Sequence, residues 1–175
     1  MRPEHLLSSL DLVERVFTAW DGPAEGALVR QLVEEIRAGA YHVPALELLM
    51  LDEEDRELGY AMFSRFPIEG RYADELLLLS PVGVEMAYQR RHISRDLIEY
   101  GFEKAREMGF KAVLVEGNPD NYRSRGFEPS YRYGVEAGPR VQLPHPDCLM
   151  VKALVEDGLA GIHGLVDYGM YRALT

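Results

Sequence analysis

One short stretch of this chain concentrates residues that could do chemistry. Gln89-Arg90-Arg91-His92-Ile93-Ser94-Arg95 holds three arginines and a histidine, and no acid. It lies just before an amphipathic segment, so it reads as a basic loop entering a helix N-terminus. Unpaired N–H groups at such a start point outward, and the helix dipole adds partial positive charge. Arg90, Arg91 and Arg95 would add full charges, which makes a phosphate or pyrophosphate the natural guest. A solvated basic helix start is the plainer alternative. Other chemistries find little support. His5, His42, His92, His145 and His163 show no H-x-x-x-H spacing, so no metal site is expected. Cys148, the only cysteine, precedes an apolar run and reads as a small core residue. The G-x-S-x-G, G-x-G-x-x-G and Walker patterns are absent.

The elements that must hold this loop follow from hydrophobic spacing. Val13, Val16, Phe17 and Trp20 predict a helix over residues 11–20, stopped by Asp21-Gly22-Pro23. Leu28, Leu32, Val33 and Ile36 predict a second over residues 24–38, ended by Gly39. Residues 46–51 and 58–66 read as an antiparallel hairpin around the turn Asp52-Glu53-Glu54-Asp55. A third strand spans residues 76–84, with Pro81 predicting a bulge or splay inside it. Ile93, Leu97, Gly101, Ala105 and Met108 mark one helical face, with Gly109 as its C-terminal cap. Residues 112–115 then form a short buried strand, completing a right-handed βαβ unit with a parallel pair. A late strand covers residues 149–155, and the Gly-rich residues 158–175 stay unassigned. Tyr131 and Tyr133 read equally as an edge strand or as a substrate rim.

Composition bounds the function. At roughly 150 residues per domain, residues 1–175 form a single α/β domain. Hydrophobic residues make up 47%, enough to bury a core without disulfides. The formal net charge is -10, against the balance expected of a nucleic-acid binder or a protein gripping anionic lipid. No apolar run approaches the roughly 20 residues that span a bilayer. The charged residues Glu4, Asp11, Glu14 and Arg15 argue against a signal peptide. A soluble, cytoplasmic protein is expected, without nucleic-acid or membrane partners.

Two segments carry a family resemblance. Leu79-Ser80-Pro81-Val82-Gly83-Val84-Glu85-Met86-Ala87-Tyr88-Gln89-Arg90-Arg91-His92-Ile93-Ser94 resembles the acetyl-CoA motif of the GCN5-related N-acetyltransferases (GNAT). That motif is a strand of the type L-x-P-L-x-V-x-P-x-Y-Q followed by Q/R-x-x-G-x-G/A. Val115-Glu116-Gly117-Asn118-Pro119-Asp120-Asn121-Tyr122-Arg123-Ser124-Arg125-Gly126-Phe127 resembles the family's next motif, commonly G-D-P-x-Y-Y-x-R-F-G-F. The order of elements matches as well, over residues 11–155.

The resemblance implies a GNAT fold: a central, mostly antiparallel sheet with helices on both faces, splayed at its parallel pair. Acetyl-CoA would enter the splay and pair with the backbone at Val82, Gly83 and Val84. A backbone N–H near Val82 would polarise the thioester carbonyl. Amides of Gln89, Arg90, Arg91, His92, Ile93 and Ser94 would cradle the pyrophosphate. Tyr122 matches the tyrosine that protonates the departing thiolate, and Asn118 a polar contact to the cofactor arm. Glu85 and Glu116, at the ends of successive strands, are candidates for the base that deprotonates a primary amine. Glu69 and Glu75 are vaguer ones. The acceptor would be a small-molecule or peptide amine, and the Gly-rich tail leaves a homodimer open. His92 and Ser94 stand where the family has Gly and Gly/Ala, and glycine permits close backbone approach and unusual φ. Two readings follow: an N-acetyltransferase acting by direct attack, or a degenerate GNAT fold binding another ligand or protein without catalysis.

Overall fold

The computed structural model describes residues 1–175. Helix α1 (Leu6–Asp21) begins a turn earlier than its periodicity predicts, and α2 (Pro23–Ala38) follows after one residue. That residue is Gly22, at φ 94°, a left-handed value that glycine enters without steric cost. Pro23 then opens α2 at a position whose N–H needs no intrahelical partner. The apolar stripes Leu12, Val13, Val16 and Val29, Leu32, Val33, Ile36 are buried together against Tyr60 and Met62.

Four strands carry the site. Strand β1 (Glu47–Leu51) pairs antiparallel with β2 (Glu57–Arg65), which pairs antiparallel with β3 (Leu76–Val84). Helix α3 (Ile93–Glu107) crosses over, and β4 (Ala112–Glu116) returns parallel to β3. The short helix α4 (Pro119–Tyr122) leads to β5 (Glu128–Pro129) and β6 (Val135–Ala137), and β7 (Leu149–Ala153) runs antiparallel to β4. The main sheet has the order β1-β2-β3-β4-β7-β5, while β6 and β8 (Gly164–Val166) form a separate parallel pair. The mostly antiparallel sheet with one parallel pair, and the elements from the first helix to the late strand, follow the sequence expectations. No helix is long and apolar enough to cross a membrane.

Pro81 does interrupt pairing. Leu79 pairs with Phe63 and Val82 with Ala61, so Ser80 and Pro81 together oppose Met62 alone. This bulge exchanges the faces of β3. Leu77 and Leu79 point toward α3, and beyond the bulge so does Val84, while Gly83 turns toward Val16 and Phe17 of α1. Pairing of β3 with β4 has meanwhile ended at Leu78 and Leu114, so the two strands part beyond that point.

Two faces are covered differently. Helix α3 buries Ile93, Leu97, Ile98, Phe102 and Ala105 against Phe63, Leu79 and Val113. Gly101 lets the helix approach, since a Cβ there would lie 2.2 Å from the Phe63 ring. Met108 does not join this face; it lies past the helix end and is 46% exposed. The opposite face is shared between the α1–α2 pair and the C-terminal region. Leu159, Ile162 and Val166 pack on Leu76, Leu78, Ala112 and Leu114, so the Gly-rich tail serves the chain's own core. Tyr131 and Tyr133 lie in a 3-10 turn (Ser130–Tyr133), not an edge strand. Their hydroxyls donate to Asp147 and Glu128.

Candidate active site

The gap beyond Leu78 presents backbone to whatever enters it. The Glu85 N–H donates to Leu58 O at 3.0 Å, so Glu85 and Gly83 direct their peptide groups at β2. Antiparallel alternation then turns those of Val82 and Val84 to the open side. The Val84 carbonyl accepts a long bond from Gln89 Nε2 at 3.4 Å, which ties the loop to the strand.

The loop itself is wound tightly. Arg90 and His92 both have left-handed backbone, at φ 63° and 61°. His92 is the N-cap residue of α3, and its carbonyl accepts the Asp96 N–H at 2.9 Å. The amides of Ile93, Ser94 and Arg95 are first-turn donors without intrahelical acceptors. His92 is exposed and takes the left-handed conformation that a glycine would. Arg91 leans over the Tyr88 ring at 5.5 Å, and Arg95 pairs with Asp96 at 3.0 Å.

Gln89, Arg90, His92, Ile93, Ser94 and Arg95 line a cavity of about 390 Å³, together with Val82, Gly83, Val84, Tyr122 and Arg125. It contains no acidic side chain, but includes Arg90, Arg95 and Arg125. Arg91 is outside it. Arg125 escaped the sequence reading, although a residue three after Tyr122 in a helical turn shares its face. Its Nη2 donates to Ser94 Oγ at 3.1 Å and its Nη1 to the Asn121 carbonyl. The Nε is buried without a partner. Leaving a charged donor so costs more than leaving a neutral one, and an anion in this cavity would satisfy it.

A second cavity, of about 890 Å³, lies between the α1–α2 corner and the C-terminal region. It shares Trp20, Val82, Asn121 and Tyr122 with the first. Its carboxylates are Asp21, Glu25, Glu116 and Asp167, and its only guanidinium is that of Arg140. Arg140 grips Asp167 through two bonds of 2.9 and 2.7 Å. Asp21, Glu25, Arg140, Asp167 and Tyr168 had no signal in the sequence, because they converge from opposite ends of the chain.

Tyr122 stands between the cavities. Its ring packs edge-to-face on Phe127 at 5.6 Å, with the Arg125 guanidinium 5.9 Å from its centroid. Gly117 admits the ring, since a Cβ there would lie 2.6 Å from it. Burial pushes the Tyr122 hydroxyl above the ordinary phenol pKa, partly offset by Arg125. It therefore holds its proton through neutral pH.

The other candidates separate. Glu116, at the C-terminal end of β4, is exposed into the larger cavity with no ionic partner. Asn118 lines that same cavity, and its Oδ1 accepts the Asp120 N–H at 3.0 Å as the α4 cap. Glu85 lines neither cavity: Arg15 of α1 holds it, with Nε donating at 2.7 Å. Glu69 and Glu75 are likewise paired elsewhere, with Arg71 and Lys111.

Comparisons with known proteins agree with this geometry. The model of the Acetyltransferase (GNAT) family matches residues 12–128. The chain is 28% identical to the uncharacterized N-acetyltransferase YhbS of Escherichia coli, over 88% of its own length and 94% of the relative's. It is 32% identical to the uncharacterized N-acetyltransferase YjhQ of Escherichia coli, over 82% and 78%. A crystal structure of YhbS in complex with CoA superposes with a TM-score of 0.81, at 26% identity, covering 96% of this chain and 86% of that one. The matched span runs from α1 to β5 and takes in the splayed strands, the basic loop and Tyr122; this chain belongs to the Acetyltransferase (GNAT) family.

Proposed function

We propose that this protein is an N-acetyltransferase that moves the acetyl group of acetyl-CoA directly to a primary amine. One observation carries the reading: a cavity whose charged side chains are all basic and another whose charged side chains are mainly acidic share Val82 and Tyr122. The residues fit the cofactor. The orphaned Arg125 Nε and the first-turn amides of α3 suit a pyrophosphate, and the edge of β3 that β4 leaves unpaired beyond Leu78 suits an amide-bearing arm. The crystal structure of YhbS with CoA supports the same assignment.

Bound acetyl-CoA supplies a thioester carbonyl for the amine nitrogen to attack, yielding an amide and a thiol. Val82 and Val84 orient the arm through backbone groups, Gly83 lines the cavity with its own peptide groups taken up by β2, and the Val82 N–H donates to the carbonyl oxygen as charge develops there. Gln89, Arg90, His92, Ile93, Ser94 and Arg95 hold the phosphates, with Arg91 adding charge from outside the cavity. Glu116 Oε accepts the proton that the acceptor ammonium must lose. The Tyr122 hydroxyl, held protonated by burial, delivers its proton to the departing sulfur, and the second proton that the nitrogen sheds on becoming an amide restores it. Glu85, fixed by Arg15, takes no part, and Asn118 shapes the acceptor side instead of the arm. The rival reading of an inactive fold drew on His92. Its left-handed backbone, which gives the loop its glycine-like turn, supports the transferase reading instead.

Calorimetric titration tests this directly. Acetyl-CoA and CoA should both bind, and no binding at millimolar ligand would overturn the reading. Tyr122→Phe should lower kcat about a hundredfold or more, with acetyl-CoA affinity nearly unchanged. An unchanged kcat would remove Tyr122 from the chemistry.

A further inference from the structure

We infer that the corner between α1 and α2 is a subsite for a second positive charge on the acceptor, making the preferred substrate a small linear di- or polyamine. The inference rests on the transferase reading, which identifies the larger cavity as the acceptor chamber. That chamber is defined by its opening onto Val82 and Tyr122, not by its charge.

Three features of its wall point to a cation at a distance from the reacting nitrogen. Asp21 ends α1 and Glu25 lies in the first turn of α2, and neither has an ionic or hydrogen-bonding side-chain partner. Phe17 and Trp20 stand beside them as an edge-to-face pair at 5.2 Å, and both line the chamber. Carboxylates next to aromatic faces are the usual chemistry for holding an alkylammonium group. Glu116 belongs to another element, at the end of β4, and precedes Gly117, which packs on the Tyr122 ring. The chamber thus has acids for two cationic centres, one at the reacting position and one at the corner.

The wall also excludes a class. An acceptor carrying a carboxylate needs a free guanidinium or ammonium, and the chamber's only cation is already bonded twice to Asp167. A free amino acid would place its carboxylate among uncompensated acids. Tyr168 adds a further polar contact. Its hydroxyl oxygen is buried on the chamber wall with no hydrogen-bond partner. Burial first, and the nearby Glu116 carboxylate second, keep it protonated. It can accept a bond from an ammonium group and donate one to Glu116.

The test measures thiol release from acetyl-CoA with putrescine, spermidine, butylamine and lysine. Putrescine or spermidine should exceed butylamine in kcat/KM by about tenfold or more, the equivalent of one charge-assisted contact. Lysine should fall below putrescine by a similar factor. In the double variant Asp21→Asn with Glu25→Gln, the putrescine-to-butylamine ratio should drop toward one. Equal rates with butylamine and putrescine, equal rates with lysine and putrescine, or a ratio that survives the double variant would each overturn the subsite. Acetyl-CoA binding, followed by calorimetry on the same samples, separates the two levels. Binding without a diamine preference sinks only the subsite, whereas absence of binding sinks the transferase reading as well.

Discussion

His92 enters α3 with φ at 61°, a conformation that costs an L-residue roughly 1–2 kcal/mol and costs glycine nothing comparable. The loop keeps its turn because the neighbouring elements over-determine it: His92 O caps α3, and Gln89 is tied back to Val84. Substituting His92→Gly should therefore raise the unfolding free energy by about 0.5–1 kcal/mol, the strain relieved less the extra entropy of an unfolded glycine. Urea denaturation measures this, and a less stable variant would show that the ring packs favourably. Acetyl-CoA affinity should hold or rise, because the phosphate contacts assigned to this position are those of the backbone. At this scale the sequence was informative where neighbours in the chain are neighbours in space. Tyr122, Glu116 and the loop from Gln89 to Arg95 could be read for that reason. Glu85 could not, because its partner Arg15 sits on a helix far upstream.

Strand β3 and helix α3 do the positioning, and each depends on a small residue or an extra one. The bulge at Ser80 and Pro81 sends Gly83 toward α1, where the nearest side-chain atom to an added Cβ would be 3.2 Å away, on Val16. Gly101 sets how deeply α3 seats its opposite face. A side chain there must displace the Phe63 ring, which is fully buried and braced by Phe102 at 6.0 Å. Gly101→Val should cost about 2–3 kcal/mol by overpacking, read as a fall in the denaturation midpoint. A neutral result would mean that Phe63 has another rotamer to move into. The βαβ unit was legible from hydrophobic period alone, since α3 shows a clean buried stripe and β4 a short apolar run. The acceptor wall was not. Trp20, Asp21 and Glu25 meet Arg140, Asp167 and Tyr168 only through tertiary packing, and the tail carrying the last two has no period to read.

Across the whole molecule, a buried ionic network fastens the helical pair to the sheet. Glu47 at the start of β1 is 2% exposed and accepts from Arg37 Nε at 2.8 Å and the Tyr60 hydroxyl at 2.7 Å, with His42 Nε2 at 2.8 Å. Burial alone would raise its pKa, but the bonds from Arg37, Tyr60 and His42 and the charge of Arg37 outweigh that and lower it. A carboxyl depressed in the folded state stabilises above its unfolded pKa of about 4.3. That contribution is lost as pH falls through the lower, folded value. Glu47→Gln leaves Arg37 uncompensated and should cost about 3–5 kcal/mol at neutral pH. Urea melts at a series of pH values should show the gap to the parent protein closing below about pH 4.3; a gap independent of pH would mean that packing, not charge, is lost. The division of charge between the two cavities has its own consequence for turnover. Acetylation turns a cationic nitrogen into a neutral amide, so the acidic chamber that attracts the amine has less hold on what it makes. Inhibition by accumulated product would be correspondingly weak, and the departing molecule would leave the chamber charged for the next one.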